Sequence, residues 1–138
     1  METRDLDDRL LEYGARIIRL VESMPRTIAG RRISDQLLRS GTSVGANYQE
    51  TQGAESRDDF VHKLQIALKE VRETNYWLTL IAKAEILPTA RLASLIDESM
   101  QLRAILSKAV ATAKAKSSVG FSLLPFAFCL LPFALRQP

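Results

Sequence analysis

Residues 60–71 read Phe60-Val61-His62-Lys63-Leu64-Gln65-Ile66-Ala67-Leu68-Lys69-Glu70-Val71, and the pattern runs on through Trp77, Leu78 and Ile81. Phe60, Leu64, Ala67, Val71, Leu78 and Ile81 recur at helical spacing, with charged and amide residues between them, which is the signature of an amphipathic helix. A second apolar row, Val61, Leu68, Trp77 and Leu80, lies beside the first. Ser56 with Asp59 three residues on resembles a capping box, so the helix starts after Ser56. It is expected to run to about Ile86, a length of about 45 Å at 1.5 Å per residue.

The same period extends outward on both sides. Leu6, Leu10, Tyr13, Ile17, Leu20 and Met24 make one stripe on a first helix from about Arg4 to Met24, which Pro25 ends. Ile33, Leu37, Val44 and Tyr48 mark the inner face of a second helix from about Gly30 to Gln52. Gly41 and Gly45 sit one turn apart there. Each costs about 1 kcal/mol against Ala, which implies close approach of a neighbouring helix backbone. Asn47, Tyr48 and Glu50 are read as fixing helix packing. A fourth helix opens at Pro88, a favoured first position. It carries Leu92, Leu95, Ile96, Leu102, Leu106 and Val110 inward and closes on the basic, alanine-rich segment Ala109 to Lys116. The fold expected is all-α, an antiparallel up-down-up-down four-helix bundle over residues 1–116 with an irregular apolar C-terminal tail. The second apolar row of the third helix needs a cover, so a homo-oligomer is expected, with Tyr76, Trp77 and Leu80 at its interface.

Residues 117–138 change character. Phe121-Ser122-Leu123-Leu124-Pro125-Phe126-Ala127 is repeated as Phe128-Cys129-Leu130-Leu131-Pro132-Phe133-Ala134, with a change only where Ser122 becomes Cys129. A membrane anchor, an apolar strap on the bundle and translated repetitive DNA are the three readings; the repeat favours the last. A membrane partner is not expected, because the uncharged run from Val119 to Leu135 is at the short limit for a spanning helix and is broken by two prolines.

Composition excludes much chemistry. Cys129 and His62 are single. No intrachain disulfide is possible, and a histidine-rich metal site lacks its ligands even though Asp59 and His62 have the spacing of half of one. No cofactor and no enzymatic activity are expected. The segment Arg57 to His62 fits the Arg-x4-6-His pattern of helical HEPN RNases, a short pattern whose plain alternative is a surface histidine in a helix's first turns. No leader segment is evident, so a cytoplasmic location follows. The net charge is +3, from 19 Lys+Arg against 16 Asp+Glu. Arg9, Arg16 and Arg19 lie near one face of the first helix, with pairs such as Glu12 and Arg16 expected along it. The excess of positive charge falls on the second and fourth helices, where Arg26, Arg31, Arg32, Arg39, Lys108, Lys114 and Lys116 are the candidate phosphate contacts.

The segment Gln36 to Glu50, with Arg39-Ser40-Gly41-Thr42-Ser43-Val44-Gly45-Ala46-Asn47-Tyr48-Gln49-Glu50 at its centre, resembles the signature of the 23S rRNA intervening-sequence protein family of four-helix-bundle proteins. Phe60 to Glu70 and Glu73 to Leu78 resemble the family's third helix. The resemblance implies a four-helix bundle, in some members a ring-shaped pentamer. Some members are encoded within inserts of ribosomal RNA genes, and a similar protein is an accessory subunit of a retroelement reverse transcriptase with a basic, nucleic-acid-contacting surface. It supplies no catalytic residues. The function expected is therefore a homo-oligomeric, RNA- or nucleoprotein-associated accessory factor. The alternative is a protein-interaction module without nucleic-acid binding, and a HEPN-like RNase built on Arg57 and His62 comes third.

Overall fold

A computed structural model describes the backbone of residues 3–130 and the side chains of residues 5–116. Four helices account for nearly all of it: α1 Thr3–Glu22, α2 Ile28–Glu50, α3 Arg57–Lys83 and α4 Thr89–Leu130, with one 3-10 turn, Thr51–Gly53, after α2. No strand occurs among the described residues. The chain is all-α, and its helices pack as an antiparallel four-helix bundle.

Side-chain pairs give the register. As residue numbers rise along α1 they fall along its partners: Asp7 meets Gln49 and Gln52, Arg9 meets Glu98, Arg16 meets Ser94 and Ser23 meets Arg91. The connections at residues 23–27 and 84–88 share one end of the bundle. The start of α1, the turn after α2 and residues 105–116 lie at the other, about 35 Å away by the length of α2.

The core is the expected stripe with two revisions, both in α3. Leu6, Leu10, Tyr13, Ile17, Leu37, Val44, Leu64, Ala67, Val71, Leu78, Ile81, Leu92, Leu102 and Leu106 are all buried in one cluster. The second row of α3 is not left open. Val61 and Leu68 are buried, and Trp77 packs half-buried against the core, because α3 lies between α2 and α4 and meets neighbours on two sides. Phe60, counted with the inner stripe, is exposed instead.

Boundaries moved for local reasons. The Thr27 hydroxyl accepts from the Gly30 amide and starts α2 two residues before Gly30. Ser56 caps α3 as expected: its hydroxyl accepts from the Asp59 amide, while the Asp59 carboxylate accepts from the Glu55 amide. α3 stops at Lys83 rather than Ile86, because Glu85 takes φ 54°, a left-handed conformation that no helix can continue through. Pro88 precedes α4, and its carbonyl accepts from the Arg91 amide. The α4 backbone runs past the expected boundary at Lys116 to Leu130. The basic segment Ala109 to Lys116 is thus interior to α4 and not its last turn. Residues 131–138, and the side chains of the apolar repeat, lie outside the described residues, as do the three readings of the tail. No helix among the described residues is long and apolar enough to cross a membrane.

A hydroxyl layer crosses the bundle's middle. The Tyr13 hydroxyl lies 2.6 Å from Ser99 Oγ, which itself donates to the Leu95 carbonyl. On the other pair of helices Thr74 Oγ1 is 3.0 Å from Ser40 Oγ and bonds the Glu70 carbonyl. Burial pushes the Tyr13 phenol up to about 12, against the opposing pull of hydrogen bonds to Ser99 and Thr74.

Candidate nucleic-acid interface

The seven cations singled out by sequence do not form one surface. Arg26, Arg31 and Arg32 sit at the end that carries the 23–27 connection, and Lys108, Lys114 and Lys116 sit at the opposite end. Antiparallel packing puts the start of α2 and the later half of α4 at different ends. Arg39 is engaged within the bundle. It is held by Glu70 and Glu73 of α3, and the hydrogen bond to Glu73 keeps its pKa above the ordinary value while that of Glu73 is lowered. A guanidinium between two carboxylates has little charge left to offer.

Two arginines of α1 and one of α4 come together elsewhere. Arg16, Arg19 and Arg91, with Leu20 and Leu95, line a cleft of ≈ 240 Å³ between α1 and α4. Arg16 Nη2 donates to Ser94 Oγ at 2.8 Å, and Arg91 Nη2 donates to Ser23 Oγ at 2.9 Å. A hydroxyl acceptor orients a guanidinium without cancelling its charge, so both remain full cations. Arg19 pairs with Glu12 where both side chains are more than half exposed, and an exposed pair of that kind is weak. The expected pairing of Glu12 with Arg16 is not formed: Arg16 turns across to α4, and Glu12 takes Arg19. Among the described residues no acidic side chain lines the cleft.

Arg26, Arg31 and Arg32 are exposed on the same end, and none of them forms an ion pair among the described residues. Arg31 Nη1 donates to the Arg26 carbonyl, which holds the two side by side. Sequence reasoning placed Arg16 and Arg19 on a basic face but kept them and Arg91 out of the site. The missing signal was the register: Arg16 precedes the buried Ile17 and Arg91 the buried Leu92, so each flanks the seam where α1 and α4 meet head to tail.

At the opposite end Leu6, Tyr48, Phe60, Leu64, Ile105 and Ala109 line a larger groove of ≈ 840 Å³, with Arg57, Lys108 and Lys116 along it. His62 is exposed and does not line this groove. It follows Arg57 by five residues, which turns the two about 140° apart around α3. Of the three residues read as fixing helix packing, Tyr48 lies against the core, Asn47 Nδ2 donates to the Ser43 carbonyl of its own helix, and Glu50 is exposed. Tyr76 is exposed and stacks edge-on against Trp77 at 5.0 Å, while Trp77 and Leu80 are half-buried. The Trp77 indole donates to Glu73. No group of three or more metal-ligating side chains occurs among the described residues.

Comparison with known proteins places the chain. A crystal structure of a protein of unknown function from the S23 ribosomal protein family of Bacteroides thetaiotaomicron is 37% identical, with a TM-score of 0.69, covering 75% of this chain and 96% of that one. No curated protein matches. The family model described as 23S rRNA-intervening sequence protein matches residues 8–108, which take in all of α2 and α3, parts of α1 and α4, and every buried core residue except Leu6 and Val110. With a four-helix fold and a close structural relative in agreement, the chain belongs to the 23S rRNA-intervening sequence protein family.

Proposed function

We propose that this protein is a non-enzymatic accessory factor that self-associates and holds RNA by its phosphate backbone at the arginine-rich end of the bundle. The observation that carries this reading is the cleft between α1 and α4: three guanidinium groups from two helices converge there, two of them anchored by serines and none buried against acid. Planar guanidinium groups suit phosphate oxygens, and Arg26, Arg31 and Arg32 extend the positive surface around the same end. The family's description, which concerns an intervening sequence of 23S ribosomal RNA, is consistent with an RNA-linked role.

The test is fluorescence anisotropy of a single-stranded RNA oligonucleotide with the full chain between 50 and 200 mM salt. Affinity should fall with salt, with a slope reduced by about 0.7 for each phosphate contact removed. Arg16→Gln and Arg91→Gln should each weaken binding and flatten that slope. Arg39→Gln should change neither, because Glu70 and Glu73 already neutralise it. Absence of binding at 50 mM salt, or an Arg39→Gln loss equal to that of the cleft variants, would refute the reading.

A protein-interaction module without nucleic-acid binding is the second reading. It is favoured by Leu11 and Ile18, seven residues apart on one outer face of α1 and 75% and 46% exposed. The RNase reading has no support of this kind, since Arg57 and His62 diverge around α3.

A further inference from the structure

The groove at the end away from the arginines is built for a different ligand. Its walls are mostly apolar: Leu6 from α1, Phe60 and Leu64 from α3 and Ile105 from α4 line it beside Tyr48 and Thr112, with Ala109 and Ala113 leaving room along α4. Among the described residues its only charged lining groups are Arg57, Lys108 and Lys116, and no carboxylate lines it. Among the described residues none of these three cations makes an ion pair or a side-chain hydrogen bond, although ion pairs are plentiful elsewhere on the bundle. At ≈ 840 Å³ the groove is within the range of pockets that enclose a small molecule.

The geometry points to a binding site for a single-chain anionic amphiphile, a long-chain carboxylate above all. The alkyl chain lies between Leu6, Leu64 and Ile105, and the head group meets Lys108, Lys116 and Arg57. Walls of Leu, Ile, Ala and Phe favour a chain of methylenes over a polar ligand. Unpaired cations beside an apolar groove complement a molecule that is apolar along its length and negative at one end. Phosphate-backbone binding makes no use of such walls, so this site is independent of the arginine cleft and of the RNA reading.

Isothermal titration calorimetry of the full chain with decanoate, dodecanoate and tetradecanoate, each below its micellar concentration, tests the assignment. Binding should saturate at one molecule per chain and tighten by up to about fourfold per added methylene. Thermal unfolding should shift upward with ligand, as for any ligand that prefers the folded state. Dodecyltrimethylammonium, with the same chain and the opposite head charge, should bind at least about tenfold more weakly. Lys108→Glu combined with Lys116→Glu should abolish the preference for the anion. Ala109→Phe, which fills the groove, should remove binding of every chain length. Circular dichroism melts of each variant establish that it is folded, and the head-charge comparison on the unaltered chain stands without any variant. A lysophosphatidate of equal chain length separates sources: preference for it assigns a lysolipid and preference for the carboxylate a free fatty acid, and either upholds the site. Equal binding of the cationic surfactant, multiple-site binding with a falling melting temperature, or no binding by the full chain would overturn it.

Discussion

Gly41 and Gly14 both lie inside helices, yet the same substitution should act in opposite directions at the two. A Cβ built on Gly41 falls 2.8 Å from two carbons of Ile17, a fully buried branched side chain with nowhere to move. Overpacking of that kind costs about 1–3 kcal/mol, against about 1 kcal/mol regained in helix propensity, so Gly41→Ala should destabilise by about 1 kcal/mol in chemical denaturation. Nothing lies within 4 Å of a Cβ on Gly14, and Gly14→Ala should stabilise by about 0.5–1 kcal/mol. The close backbone approach expected from the glycine pair is not what fills the space at Gly41, where the neighbour is the Ile17 side chain; the α1 backbone comes near Gly45 instead, but a Cβ there would lie at ordinary contact distance, 3.6 Å from the Leu10 carbonyl oxygen. Tyr13 supplies a pH test. Its phenol ionises near 10 in the unfolded chain and at about 12 in the fold, so the neutral form is favoured by folding. That stability is fully present below pH 10 and is lost as pH rises from about 10 towards 12, by roughly 2–3 kcal/mol. Tyr13→Phe, which removes the ionising group, should flatten stability over that window; an unchanged alkaline slope would show that Tyr13 does not govern it.

Helix ends show what local sequence can and cannot specify. The Ser56 cap was legible because its partner, Asp59, lies at a fixed short spacing and no distant group is involved. The start of α2 was not, because Thr27 follows Pro25 and Arg26 and looks like loop until its hydroxyl is seen to meet the Gly30 amide. The end of α3 was overrun for a similar reason. Ile86 and Leu87 continue the apolar pattern and are covered by the core, yet the backbone has already left the helix at Glu85. A non-glycine residue there carries a conformational cost of about 1–2 kcal/mol, which glycine avoids. Glu85→Gly should accordingly stabilise by about 0.5–1 kcal/mol after the greater freedom of glycine in the unfolded chain is subtracted. Thermal denaturation reads this directly, and a lower melting temperature would mean that the Glu85 side chain contributes something its exposed position does not suggest.

At the scale of the whole molecule, the bundle was legible because apolar spacing within each helix is local, and the site was not, because it depends on which helix ends meet. Arg39 and Arg91 look equivalent in sequence. Packing sets one between Glu70 and Glu73 and aims the other into an open cleft. The same dependence governs self-association. The apolar row that motivated an oligomer is mostly covered within the chain, since Val61 and Leu68 are buried and Trp77 and Leu80 half-buried. Tyr76 is 58% exposed, but the larger unmet apolar surface is on α1, where Leu11 and Ile18 share an outer face. Neither of those two belongs to the core cluster, so replacing them with Glu should shift the stability of a single chain by no more than about 0.5 kcal/mol. A shared interface on α1 would respond quite differently, because two charges would be brought into an apolar contact. Light scattering of the full chain should give a multiple of 15.4 kDa that falls to the single-chain mass in Leu11→Glu with Ile18→Glu, and stays high in Tyr76→Ser. Dissociation by Tyr76→Ser alone would move the interface back to α3. A single-chain mass for the unaltered protein would remove self-association from the proposed function and leave the arginine cleft to act one copy at a time.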